Sequence, residues 1–205
     1  MVQQMGLKNT PESYGTIAKW LHWSIAILFL LAYISVYYRQ WFTEPETQAN
    51  MIAFHVHVNV GILVAGLVFF RIIWWTLNIK PDDEPGSRLM HLAMHLGHYA
   101  LYALMILCPL TGYLGTGLGT NFLMLIEIPR FADLAIFQII VVDGLGMTFE
   151  EFEKPVDFIH KDILGAWITW IIVLGHAGAA FYHHYVYKDR ALIKMTNARF
   201  WSRRD

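Results

Sequence analysis

Ten histidines punctuate this 205-residue chain, and most of them lie inside or at the edges of long apolar runs. An ionisable side chain at bilayer depth is costly and marks a functional site by default. The neutral imidazole is also a ligand for iron, copper and zinc. His22 lies about one and a half turns into the first run, and His55 and His57 lie near the start of the second. His91, His95 and His98 open the third; His160, His176, His183 and His184 are spread along the fourth. Sixteen residues separate His160 from His176, about 24 Å of helix at ~1.5 Å per residue. Successive runs cross in opposite directions, so His22 and His176 fall in one tier and His57 and His160 in another. No acid sits in the middle of any run, and two histidines per tier do not complete the ligand shell of a bare ion. A planar macrocycle brings four ligands of its own. The pattern therefore predicts two non-covalent b haems, each held between two histidines. No Cys-x-x-Cys-His motif is present, which excludes covalent attachment, and the single cysteine, Cys108, excludes an internal disulfide.

The elements that must position these histidines are membrane helices. The chain is 56% hydrophobic and 15% charged, and about 20 apolar residues cross a bilayer. Four spans are predicted, at about 17–38, 51–77, 92–114 and 162–186. A fifth apolar stretch, Phe131 to Val142, is short and carries Asp133 and Gln138; it reads as an interfacial or loop helix. The first run is too long for the core of a secretory leader and is expected to remain a span. The expected fold is an all-α membrane protein, a four-transmembrane-helix bundle forming one integral-membrane domain over 1–205.

Charge orients it. Lys8, Lys19, Arg71, Lys80, Arg88, Lys188, Arg190, Lys194, Arg199, Arg203 and Arg204 fall on the side that holds both termini. Only Arg39, Arg130, Lys154 and Lys161 fall on the other. The richer side is expected in the cytoplasm. That leaves a long periplasmic connection between the third and fourth spans, from Gly115 to about Lys161. With the short loop after Arg39, the outer connections carry a net charge of about −6. The expected location is a bacterial inner membrane, crossed several times and in contact with lipid, with no nucleic-acid partner. No tandem repeat or separate soluble domain is evident.

The ordered set Trp20-Leu-His22-Trp23, His57-Val-Asn-Val-Gly61, His95-Leu-Gly-His98 and Gly175-His176-Ala-Gly-Ala-Ala-Phe-Tyr-His183-His-Tyr-Val-Tyr-Lys188-Asp189 resembles the bacterial cytochrome b561 family. That family groups with the di-haem cytochrome b subunits of membrane nickel hydrogenases. The resemblance covers nearly the whole chain. It implies four transmembrane helices and two b haems. It also implies axial iron ligands from the first and second helices and two from the fourth, carried onto His22, His57, His160 and His176. In one respect the chain departs from the family: its fourth-helix histidines are usually fourteen residues apart. At ~100° per residue, a spacing of sixteen ends about 160° from a whole number of turns. Either the helix bulges, or it begins after His160. Asp162 holds the fourteen-residue position and is a poor haem ligand.

The function these features imply is transmembrane electron transfer by an oxidoreductase or electron carrier coupled to ubiquinone. The resemblance implies one form of it in particular, found in some members of the family, which oxidises superoxide at the periplasmic face and reduces ubiquinone. Superoxide is an anion, so an acidic outer surface slows its approach unless Lys154, Lys161, Arg39 and Arg130 form a basic funnel. An alternative is a haem b subunit passing electrons between quinone and a partner dehydrogenase or hydrogenase, docked from the periplasm or within the membrane. A remote one is a histidine-relay transporter, which needs buried carboxylates and broken helices. His95, His98, His183 and Lys188, near Tyr182 and Tyr185, are candidate contacts for haem propionates or a quinone. Arg71 either pairs a propionate or snorkels to the inner surface. Gly61, Gly66, Gly165, Gly175 and Gly178 are placed to let helices approach a disc. His55 is the reserve ligand should His160 fail.

Overall fold

The computed structural model describes residues 6–196; Arg199, Arg203 and Arg204 of the basic tail lie outside them. Four long helices carry the described chain: α1 (Thr16–Phe42), α2 (Gln48–Leu77), α3 (Arg88–Gly115) and α5 (Phe149–Tyr187). Each is long and apolar enough to cross a membrane. Each also runs beyond the apolar core read from sequence, because polar end residues extend a helix into the interface without cost to its backbone bonding. Between α3 and α5 lie β1 (Thr120–Phe122), β2 (Ile126–Ile128) and a short apolar helix, α4 (Ala135–Gly144). A final helix, α6, spans Ala191–Met195.

The contacts divide the chain into two compact units, each taking a stretch of every long helix. One comprises residues 6–25, 67–102 and 170–196; the other comprises 26–66 and 103–169. In the first, Ala18, Leu21 and Ile25 make a buried stripe at helical spacing on α1, and Val68 of α2 is also buried. In the second, Ala53, Val60 and Val64 of α2 are buried together with Leu104 and Leu164. Large apolar side chains elsewhere on these helices, such as Ile27, Leu30, Phe69, Phe70, Leu96 and Ile171, are exposed. A helix apolar all round with an exposed apolar face belongs in lipid.

The long connection is more ordered than a loop. Phe131, Phe137 and Val141 are buried in a cluster completed by Tyr113, Phe149 and Phe152. Phe131 and Phe137 meet edge to face at 5.4 Å. The stretch read as an interfacial or loop helix thus pins one face of α4 to this cluster, while Ile136, Ile139 and Ile140 remain exposed. A capping box between Thr148 and Glu151 starts α5. The small hairpin is absent from the sequence reading. Its turn uses Leu123 and Met124 at φ 50° and 60°, a conformation that non-glycine residues rarely adopt. Asn59 of α2 holds it: the Leu123 N–H donates to Asn59 Oδ1 at 2.7 Å.

The fourth long helix changes its winding where the histidine spacing departs from the family pattern. From Ile159 to Ile168 it is a π-helix, with α-helix on either side. A π turn bonds i to i+5 and advances about 82° per residue rather than about 100°. Sixteen residues of this mixed winding end within about 20° of four whole turns. Of the two readings offered by sequence, the bulge is the one observed; the helix begins at Phe149, well before His160. Gly165 makes the wide turn possible, since a Cβ there would lie 2.9 Å from the His160 carbonyl oxygen. The Tyr33 hydroxyl donates to the Gly165 carbonyl at 2.8 Å. Gly165 therefore serves α5 itself. By contrast, a Cβ on Gly61, Gly66, Gly175 or Gly178 would meet nothing within 4 Å.

Candidate functional site

Two histidine pairs form, one in each unit. In the first unit, the His22 and His176 ring centres are 6.2 Å apart, their planes inclined by 61°. In the second, the His57 and His160 centres are 6.1 Å apart, inclined by 70°. A metal–imidazole nitrogen bond is about 2 Å, and the ring centre lies about 1.1 Å behind the nitrogen, so two imidazoles on opposite sides of one metal have centres about 6.2 Å apart. Both pairs have that separation. Among the described residues, no three or more His, Cys, Asp or Glu side chains come together as a metal cluster. Two imidazoles, with no further protein ligand, suit an iron that already carries four macrocycle nitrogens. The residues present fit haem b.

The second unit prepares its histidines. His57 Nδ1 lies 3.1 Å from the Ala32 carbonyl oxygen. A carbonyl only accepts, so Nδ1 carries the proton and Nε2 keeps its lone pair for a metal. Thr111 gives its hydroxyl proton to the Leu107 carbonyl at 2.7 Å. Its oxygen can then accept the His160 Nδ1 proton at 3.2 Å, again leaving Nε2 free. Gly112, one residue on, makes room for the ring: a Cβ there would sit 3.0 Å from His160 Cε1. His55 points elsewhere, with Nδ1 3.4 Å from the Thr120 hydroxyl of the hairpin. Sequence reading missed Thr111, Gly112 and the Ala32 carbonyl. The Thr-Gly pair after Pro109 was visible, but nothing local said which histidine it faces.

In the first unit a third imidazole joins the pair. The His98 ring centre lies 5.7 Å from that of His176, and His98 Nδ1–H donates to the Met94 carbonyl at 2.8 Å. Arg71 donates from Nε to the Tyr102 hydroxyl at 3.2 Å, and its guanidinium lies 5.9 Å from that ring's centre. His95 Nε2 is 3.9 Å from the Asp83 carboxylate. His183 pairs with Asp189 and stacks on Tyr187 at 5.3 Å. Lys188 is exposed, in the left-handed conformation that ends α5. His91 Nε2–H donates to the Glu84 carbonyl at 3.1 Å.

The cations of the long connection are committed to neighbouring acids. Arg130 pairs with Asp133 at 2.6 Å, Lys154 with Glu150 at 3.0 Å, and Lys161 with Asp157. The Arg130 guanidinium holds the Asp133 carboxyl below its ordinary value. Arg39 differs: it donates to Asn50 Oδ1 at 2.9 Å and lies over the Phe54 ring at 5.2 Å. No carboxylate is buried among the described residues, so a proton relay through the membrane lacks its acidic steps.

Comparison with known proteins agrees with this geometry. A family model described as prokaryotic cytochrome b561 matches residues 13–198. Cytochrome b561 homolog 2 of Escherichia coli strain K12 is 29% identical, over 93% of this chain and 95% of its own length. Cytochrome b561 homolog 1 of the same organism is 26% identical, over 88% and 94%. A Yersinia pestis protein named probable superoxide oxidase CybB is 26% identical, over 90% and 96%.

Proposed function

Because the chain belongs to the prokaryotic cytochrome b561 family, a family of haem b proteins of membrane electron transfer, we propose that it carries two haems and moves electrons between a periplasmic donor and ubiquinone. In this reading it is one integral-membrane domain of the bacterial inner membrane, with both termini in the cytoplasm. His22 and His176 would hold the haem on the cytoplasmic side; His57 and His160 would hold the one on the periplasmic side. The observation that carries the assignment is the matched separation of the two imidazole pairs.

Haem bound there would supply a one-electron couple for electron transfer. The chain does the rest. Ala32 and Thr111 fix the tautomers of His57 and His160. The apolar faces of the four helices keep water from the rings. Reducing a quinone takes up protons, and at the cytoplasmic face His183 beside Asp189 and His95 beside Asp83 can pass them.

Superoxide as the donor is the second reading. The name of the Yersinia relative favours it, as does the Arg39 guanidinium, which has no carboxylate partner among the described residues. The paired state of Arg130, Lys154 and Lys161 weighs against it, because a paired cation adds little to a field that draws in an anion. A pyridine haemochrome assay tests the haem count, with two per chain expected; one per chain overturns the proposal. Stopped-flow haem reduction by superoxide and by quinol, side by side, separates the donors.

A further inference from the structure

Two donors on α2 lack acceptors that match them. Arg71 uses its Nε on Tyr102, leaving four guanidinium N–H groups, and has no carboxylate partner among the described residues. The indole Nε1 of Trp74 is buried without a hydrogen-bond partner. A buried donor left unpaired is destabilising, and an unpaired cation more so. Residues three apart on a helix share a face, with Cβ atoms about 5–6 Å apart. Arg71 shares a unit with His22, His98 and His176 and lies within electrostatic reach of all three. Tyr14 is close too, but burial holds its phenol neutral, and it cannot supply the missing counter-charge.

We propose that Arg71 and Trp74 form a carboxylate clamp that takes a propionate of the haem held by His22 and His176. The inference rests on the ligand assignment proposed above. A carboxylate is the occupant that satisfies both groups at once: two oxygens for the guanidinium fork, with a lone pair left for the indole N–H. A quinone carbonyl would accept a hydrogen bond but leave the cation uncompensated. A lipid phosphate would draw Arg71 away from Tyr102 and the histidines.

The test uses the purified haem-loaded protein and its R71Q, R71K, W74F and H22A variants. Readouts are haem per chain, the reduction equilibrium of each haem, and the propionate bending band in the resonance Raman spectrum. R71Q removes a positive charge that favours the reduced haem. It is expected to shift that haem's reduction equilibrium about tenfold toward the oxidised form, about 59 mV for one electron, and to move the propionate band. W74F is expected to move the band with a shift of about threefold and no loss of haem. R71K is expected to fall between wild type and R71Q. If R71Q does not accumulate, R71K and W74F decide. An unmoved propionate band and an equilibrium within twofold of wild type in the Arg71 and Trp74 variants would overturn the clamp, with lipid phosphate as the Arg71 partner. H22A tests the underlying assignment separately: if it retains two low-spin haems, the ligand reading fails whatever the clamp variants do.

Discussion

Gly112 of α3 lies against His160 of α5, so closely that a Cβ at residue 112 would stand 3.0 Å from Cε1 and 3.4 Å from both ring nitrogens. The position of that imidazole is thus set as much by an absent side chain as by any present one. Replacing Gly112 by Ala is expected to push the ring by a few tenths of an ångström, keep the haem and perturb its spectrum. Replacing it by Val is expected to cost most of one haem per chain. The pyridine haemochrome assay and low-temperature spectra of both variants check this. Two intact low-spin haems in the Val variant would show that His160 is not a ligand.

His22 and His98 both approach His176, at 6.2 and 5.7 Å between ring centres. The separation for two imidazoles across one metal is about 6.2 Å, which selects His22. His22→Ala is expected to lose one haem of two. His98→Ala is expected to keep both and to slow reoxidation by a soluble ubiquinone analogue severalfold. The reverse pattern, haem lost with His98 and retained without His22, would exchange their roles.

Lys194 is 8% exposed and paired with Glu84, and its ammonium also donates to the Asp82 carbonyl at 2.6 Å. Lys194→Met leaves the half-buried Glu84 without its counter-charge. Removing one partner of such a pair costs roughly 3 kcal/mol. The thermal midpoint in detergent is expected to fall by several degrees, and adding Glu84→Gln is expected to restore most of it. An unchanged midpoint in the single variant would show that the pair is solvated.

Asp83 carries a pH prediction. The hydrogen bond from Lys80, at 2.6 Å, holds its carboxyl below the ordinary value of 3.8. A folded value below the unfolded one adds stability above the unfolded value, and that contribution is lost as the pH falls through the folded value. The side-chain carboxyl resonance of Asp83 is therefore expected to titrate below 3.8. Replacing Lys80 by Met should bring it back up. Titration at or above 3.8 in the unmodified chain contradicts the pairing.

The spans and the two histidine pairs were legible because they depend on local quantities: apolar run length, and depth counted along a helix from a known end. What escaped depends on which side chain faces which. Thr111 and Gly112 acquire meaning only once α3 packs on His160. Lys194 enters a sequence count as one more cytoplasmic charge, yet it is buried against Glu84. The hairpin turn at Leu123 and Met124 has no glycine or asparagine to announce it, because Asn59, more than sixty residues earlier, supplies the hydrogen bond that holds it.

The π stretch of α5 changes what a spacing rule can detect in proteins of this kind. A helix positions its side chains by the turn, and a pattern search counts by the residue. Where each wide turn admits an extra residue, the two counts separate while the geometry persists. A motif written as two histidines at a fixed interval would reject this chain, although a 10-residue change of winding absorbs the difference. A search that tolerates one or two added residues, and requires a glycine five positions after the first histidine, as at Gly165 after His160, would retain it and others built alike.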